Sequence, residues 1–139
     1  MTQLFYPIRR ATLHIPGTGP KHDPDRGHLH VILTDQDQNK MNVLVGICSY
    51  YDTCDKACVL DRGHKFIKHK SFVFYAEADV VSADVLYKCV KEGVITYEGL
   101  FDEDLLPRIC GGLLKSPFTR PRVKTFYRAM LSAKPTAKS

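Results

Sequence analysis

Two imidazoles and four permanent cations crowd into one short stretch of this chain. Residues 58–75 read CVLDRGHKFIKHKSFVFY, with Arg62, His64, Lys65, Lys68, His69 and Lys70 between two apolar, β-favouring runs. Histidine suits both halves of a proton transfer near neutral pH, because its ordinary pKa lies there. A cation beside it stabilises charge that builds on a phosphorane. His64 and His69, with Lys68 or Arg62, are therefore equipment for breaking an RNA phosphodiester without a metal. One group takes the 2′-hydroxyl proton and the other protonates the departing 5′-oxygen. The competing reading is a solvated turn carrying surface charge. Phe66 and Ile67 favour the site, since a purely solvated turn has no use for them. They are expected to anchor the link to the core and hold both imidazoles in place.

Other candidates lie upstream. His28 and His30 alternate along a predicted strand, so they share one face while Leu29, Val31 and Leu33 take the other. That histidine face either joins the site, binds a metal, or is a plain solvent face. Ser49 ends a strand, followed by Tyr50 and Tyr51, where with Lys56 an aromatic ring can stack on a base and a cation can hold phosphate. Cys48, Cys54 and Cys58, with His64 and His69 downstream, are spaced C-x5-C and C-x3-C. This is looser than the close pairs that zinc favours. No cysteine sits in an activated-thiol motif. No metal or cofactor is expected.

The elements that must position these residues follow from hydrophobic period. Residues 28–35 and 41–50 alternate in the manner of strands, with a polar turn between them, and read as a β-hairpin. Residues 57–61 form a short strand. A further strand starts at Ser71 and breaks near Ala78, with 71–87 read as extended and 89–99 as weak strand or loop. Residues 101–116 have helical spacing at Leu105, Leu106, Ile109 and Leu113, acidic residues in the first turn, and two glycines, Gly111 and Gly112, that weaken the middle. A second helix starts at about Arg122, with Val123, Phe126, Tyr127 and Met130 on its apolar stripe. Strands first and helices only after about residue 100 predict an α+β fold: a small curved antiparallel sheet or SH3-like barrel with C-terminal helices. The whole chain, 1–139, is expected to be one domain. An irregular segment covers 1–27 (with a possible strand in 1–15 and a loop at 16–27), 28–100 is mainly β, 101–131 is helical and 132–139 is a frayed tail.

Composition sets the outer limits. With 44% hydrophobic and 25% charged residues, the chain is that of an ordinary globular protein, and no apolar run approaches a membrane span. The formal charge of +5 favours acidic partners, of which nucleic acid is the commonest. Arg120, Arg122, Lys124 and Arg128 form a basic stretch able to track RNA or an acidic protein segment. The N-terminal MTQLFYPIRR has basic residues with no apolar stretch behind them, and the five cysteines are odd in number. A cytoplasmic protein with reduced thiols is expected.

The succession GHLHVILTD, VLVGICSY, CVLD, the link and SFVFYAEADVV resembles the PemK/MazF-like toxins over about 28–115. That resemblance implies a bacterial, ribosome-independent endoribonuclease, a protein antitoxin as partner, and a homodimer. Ser49 falls where those toxins place a Thr or Ser that contacts the scissile phosphate. His28 falls where they place a catalytic Arg, with Arg26 two residues earlier. The departure matters, because Arg is permanently charged and grips phosphate bidentately whereas His does neither. Arg26 or Arg62 would then supply the clamp. GHKFIKHKSFVFY also resembles a motif of small bacterial proteins of the form HPFI-x-H-x-SYV-x-Y, to which no activity attaches. The sequence therefore predicts a metal-independent endoribonuclease with His64, His69, Ser49 and His28 at its centre and Arg26, Arg62, Lys68 and Tyr50 on RNA. The alternative is a non-catalytic module that binds nucleic acid or protein on a compact β scaffold.

Overall fold

A computed structural model describes residues 4–18 and 27–133. Nine elements follow one another: β1 (Ala11–Pro16), β2 (Gly27–Ile32), β3 (Met41–Ser49), β4 (Val59–Leu60), β5 (Ser71–Ser82), α1 (Ala83–Lys91), β6 (Thr96–Leu100), α2 (Leu106–Lys115) and α3 (Pro121–Ser132). The strands form one sheet in the order β4-β5-β3-β2-β1-β6, antiparallel at every pairing. The sheet curls into a half-barrel, so of the two predicted forms the curved sheet is the one that forms.

Strand alternation divides the apolar residues between two faces. Leu29, Val31 and Leu33 of β2 and its following residue pack with Val43, Val45, Ile47, Val73 and Tyr75 in the main core, which α2 and α3 close with Leu106, Ile109, Leu113, Val123 and Tyr127. The opposite face carries Leu13, Ile32 and Leu44, which α1 covers with Leu86. Both faces are thus covered where the helices lie. The end of the sheet at Gly27, Ser49 and Ser71 borders a cleft.

Three expectations need correction. Helix does not wait for residue 100, because α1 lies in the stretch read as extended. Ser82 caps it, its Oγ accepting from the Val85 N–H at 3.3 Å. Asp84 in the first turn and Lys88 and Lys91 in the last suit the helix dipole. Burial at Ala83 and Leu86 follows a helical stripe that the strand-forming Val80 and Val81 just before it disguise. Nor does β5 break near Ala78. It continues to Ser82 through a bulge, where the register with β3 shifts between Leu44 and Gly46. The segment 1–27 is not irregular throughout, since it contains β1. The rest of the predicted 16–27 loop, residues 19–26, and most of the predicted tail, 134–139, lie outside the described residues.

Gly112 serves packing. A Cβ at that position would stand 2.2 Å from Tyr75 Oη. The fully buried Tyr75 uses the space to donate to the Ile109 carbonyl at 2.6 Å, which joins β5 to α2. Among the described residues, no helix is long and apolar enough to cross a membrane.

Candidate active site

At the end of the sheet marked by Gly27, Ser49 and Ser71, a cleft of about 550 Å³ opens. Its floor follows from pairing. His14 is opposite Leu29, Leu29 opposite Ile47, and Ser49, two residues beyond Ile47, is opposite Ser71. Directly opposed residues share a face, so His14, Leu29, Ile47, Ser49 and Ser71 all project to the side of the main core. Beyond Leu29 and Ile47 this row turns from apolar to polar, and there the cleft begins. His69 and Lys68 enter from the link, and Glu98 from β6.

Ser49 Oγ and His69 Nε2 share a hydrogen bond of 2.8 Å across 20 residues of chain. Both side chains are exposed. The base of the link is fixed by two more bonds: the Tyr50 N–H donates to the Lys70 carbonyl at 3.1 Å, and Ser71 Oγ donates to the His69 carbonyl at 3.0 Å. Ile67 is buried in the core as expected, but Phe66 is exposed and borders the cleft. His69 is therefore an accessible imidazole on a fixed backbone.

His64 is placed differently. Its Nδ1 accepts from the Phe66 N–H at 3.1 Å, so Nε2 carries the ring proton. Nε2 donates towards the Glu98 carbonyl at 2.8 Å, with Thr12 Oγ1 at 3.0 Å. Thr12 spends its own hydroxyl proton on the Gly99 carbonyl at 2.7 Å, leaving a lone pair for the ring. Both nitrogens of His64 are committed, and the ring does not line the cleft. It binds the link to β1 and β6.

The other predicted residues divide as well. Lys68 and His28 border the cleft. One residue before Leu29, the His28 side chain falls on the opposite face from Ser49 by the pleat, so it meets the cleft only at the sheet's end. Arg62 is exposed, 4.0 Å from Asp61, and does not line the cleft. Tyr50 packs against the Cys48–Cys54–Phe72 cluster with Lys70 Nζ 4.0 Å from its ring centre, away from the cleft lining. Arg26 lies outside the described residues. Two basic residues of the C-terminal stretch are anchored: Asp79 pairs with Arg122 at 2.7 Å and Arg120 at 3.7 Å.

The cysteines do not assemble a site. Cys48 and Cys54 pack together around Phe72, whereas Cys58 belongs to the main core. Among the described residues, no three His, Cys, Asp or Glu side chains are grouped to hold a metal ion. All five thiols are unbridged. Burial pushes the Cys48 thiol up to about 12, which keeps it protonated and unreactive.

His14 and Glu98 are the cleft residues that sequence reasoning missed. The His14 ring lies over Gly27, where a Cβ would stand 2.2 Å from its Cε1. The only signal for it was a polar residue interrupting ATLHI, in a strand whose partner was unknown. The Glu98 side chain is largely buried, with Lys65 Nζ 3.8 Å from its carboxylate.

No protein-family model matches the chain, and no curated protein sequence matches it.

Proposed function

We propose that the chain is a metal-independent endoribonuclease that cleaves RNA in this cleft by general acid–base catalysis. The observation that carries this reading is the Ser49–His69 pair on the cleft floor, with the His14 imidazole and the Lys68 ammonium lining the same space. The 2′-hydroxyl of the substrate gives its proton to one imidazole as its oxygen attacks the adjacent phosphorus. The P–O5′ bond breaks, the other imidazole protonates O5′, and a 2′,3′-cyclic phosphate is left. His69 and His14 divide these transfers, Ser49 orients the His69 ring, and Lys68 stabilises the phosphorane charge. His64 has no proton-transfer role, since both its nitrogens are engaged in the fold. The net charge of +5 and the resemblance to PemK/MazF-like toxins support RNA as substrate. They extend the reading to a bacterial cytoplasmic toxin, held in check by a protein antitoxin and working as a homodimer.

The test is incubation of purified protein with mixed RNA, with and without EDTA. Cleavage that survives EDTA and leaves cyclic phosphate ends is expected. His69→Ala and His14→Ala should each slow it by about 10²–10⁴-fold without altering the melting temperature. If the parent protein binds RNA and cuts none, the cleft belongs to a binding module instead.

A further inference from the structure

Of the two apolar residues in the cationic link, Ile67 is spent on the core and Phe66 is not. Ile67 is 8% exposed, whereas Phe66 is 44% exposed and borders the cleft with Lys68 and His69. The backbone beneath Phe66 is nevertheless fixed. Its N–H donates to His64 Nδ1 at 3.1 Å, and the Ile67 N–H donates to the His64 carbonyl at 2.9 Å. His64 is in turn fastened to the Glu98 carbonyl at 2.8 Å. The His64 and Phe66 rings meet edge to face, with centres 5.3 Å apart and planes inclined at 64°. The fold thus steadies an aromatic side chain that it leaves largely open.

The charges beside this ring indicate what it would hold. Lys65 Nζ stands 5.3 Å from the Phe66 ring centre, and Lys68 lines the same cleft. The Glu98 carboxylate also lines it, but is 17% exposed and has Lys65 Nζ at 3.8 Å, so its charge is offset. A flat apolar surface among cations suits a ligand with flat faces and an anionic backbone. An unpaired nucleotide chain is such a ligand. An apolar peptide segment would use the ring and leave the cations idle.

We infer that Phe66 is the platform on which a base next to the scissile phosphate stacks, holding the RNA chain in place for the Ser49–His69 pair. The inference rests on RNA as the substrate of the cleft. Every base has a π-face, so a stacking ring fixes position without reading sequence. A base inside a duplex has both faces covered by its neighbours, so only an unpaired one can lie on the ring. Position matters here because the 2′-oxygen must be held in line with the bond that breaks. Phe66 touches no reacting atom, so it is a positioning residue, and His64 serves it by fixing its backbone.

The experiment is binding of a short, mixed-sequence 2′-fluoro RNA strand to the full-length protein, read by fluorescence anisotropy. That strand lacks the attacking hydroxyl, so no turnover intervenes. The same strand annealed to its complement is the second ligand. Phe66→Leu keeps apolar bulk and loses the plane. It should weaken single-strand binding by about 5- to 150-fold, the worth of one stacked base, and leave duplex binding unchanged. Phe66→Trp should bind the single strand at least as tightly as the parent. The salt dependence of single-strand affinity should have the same slope in the parent and in Phe66→Leu, because no phosphate contact is removed. Melting curves confirm that each variant is folded. The assignment is overturned by any of three results: no single-strand binding by the parent, equal effects of Phe66→Leu on single strand and duplex, or Phe66→Trp binding as weakly as Phe66→Leu. Phe66-dependent binding in a protein that cuts no RNA retains the platform and discards the cleavage reading. RNA cleavage by a Phe66→Leu protein with parental affinity does the reverse, so the two fail separately.

Discussion

His64 Nε2 stands 3.0 Å from Thr12 Oγ1, joining the histidine-rich link to the first strand of the sheet. A residue chosen from sequence for its chemistry is thus a fastening. His64→Ala leaves the Glu98 carbonyl without its donor in partly buried surroundings and takes one of two hydrogen bonds from Thr12 Oγ1, and should cost about 1–3 kcal/mol. His69→Ala removes an exposed side chain and should change stability by less than about 0.5 kcal/mol. Chemical denaturation of the two variants side by side measures the difference, and equal losses would contradict the assigned roles.

Gly112 and Tyr75 make the second prediction. Gly112→Ala sets a methyl group against Tyr75 Oη and displaces the donor to the Ile109 carbonyl. Replacing glycine by alanine inside a helix normally stabilises by about 0.5–1 kcal/mol. Here overpacking should reverse the sign, with a net loss of about 1–3 kcal/mol. A raised melting temperature would show that α2 moves away from β5 without penalty.

Stability should fall in mild acid because of His30. Burial is the main cause that lowers it from 6.5 to about 4. The His28 backbone bond opposes this, and the charges of His28 and His14 add to it. Between those two values the unfolded chain binds a proton that the folded chain refuses, so stability declines as pH drops from about 6.5 to about 4 and levels off below. The loss attributable to this group is about 3 kcal/mol. Unfolding free energies from pH 7 to pH 4 for the parent and for His30→Gln provide the check, and the slope in this window should be shallower in the variant.

Thiol reactivity should separate one cysteine from four. Cys89 is partly exposed on α1, whereas Cys48, Cys54, Cys58 and Cys110 are buried. Burial raises the Cys48, Cys58 and Cys110 thiols, which lowers their thiolate content further. Alkylation of the native protein without reductant should add one label quickly, and denaturant should raise the count to five. Mass spectrometry with peptide mapping reads both numbers.

Strands with one clean alternation were legible in the sequence. Leu29, Val31 and Leu33 do face the core, and the 28–50 hairpin forms with Leu29 opposite Ile47. Residues 83–87 were not, because Val80 and Val81 carry β5 up to Ser82 and the change to helix there depends on the Ser82 cap and on the Ala83 N–H donating to the Lys40 carbonyl. The site shows a parallel division. Ser49 and His69 are found together because each stands at a strand end in one β-link-β unit. His14 and Glu98 come from strands whose neighbours no local pattern announces. His64 and His69 look alike in sequence, and what sets them apart is contacts from distant chain: the Glu98 carbonyl and Thr12 Oγ1 hold the His64 ring, whereas His69 keeps an exposed bond to Ser49.

The partnership of β1 with β6 places Ala11 opposite Leu100, and this bears on the order in which the molecule matures. A contact spanning that much chain waits for loop closure, so it forms late and slowly compared with the hairpin at β2 and β3. A chain made from its N-terminus holds β1 ready with one side paired to β2 and the other bare until residues 96–100 arrive. The Glu98 carbonyl that receives His64 arrives at the same moment. The link is therefore fastened, and the cleft completed, only once residues 96–100 have been made and have paired with β1.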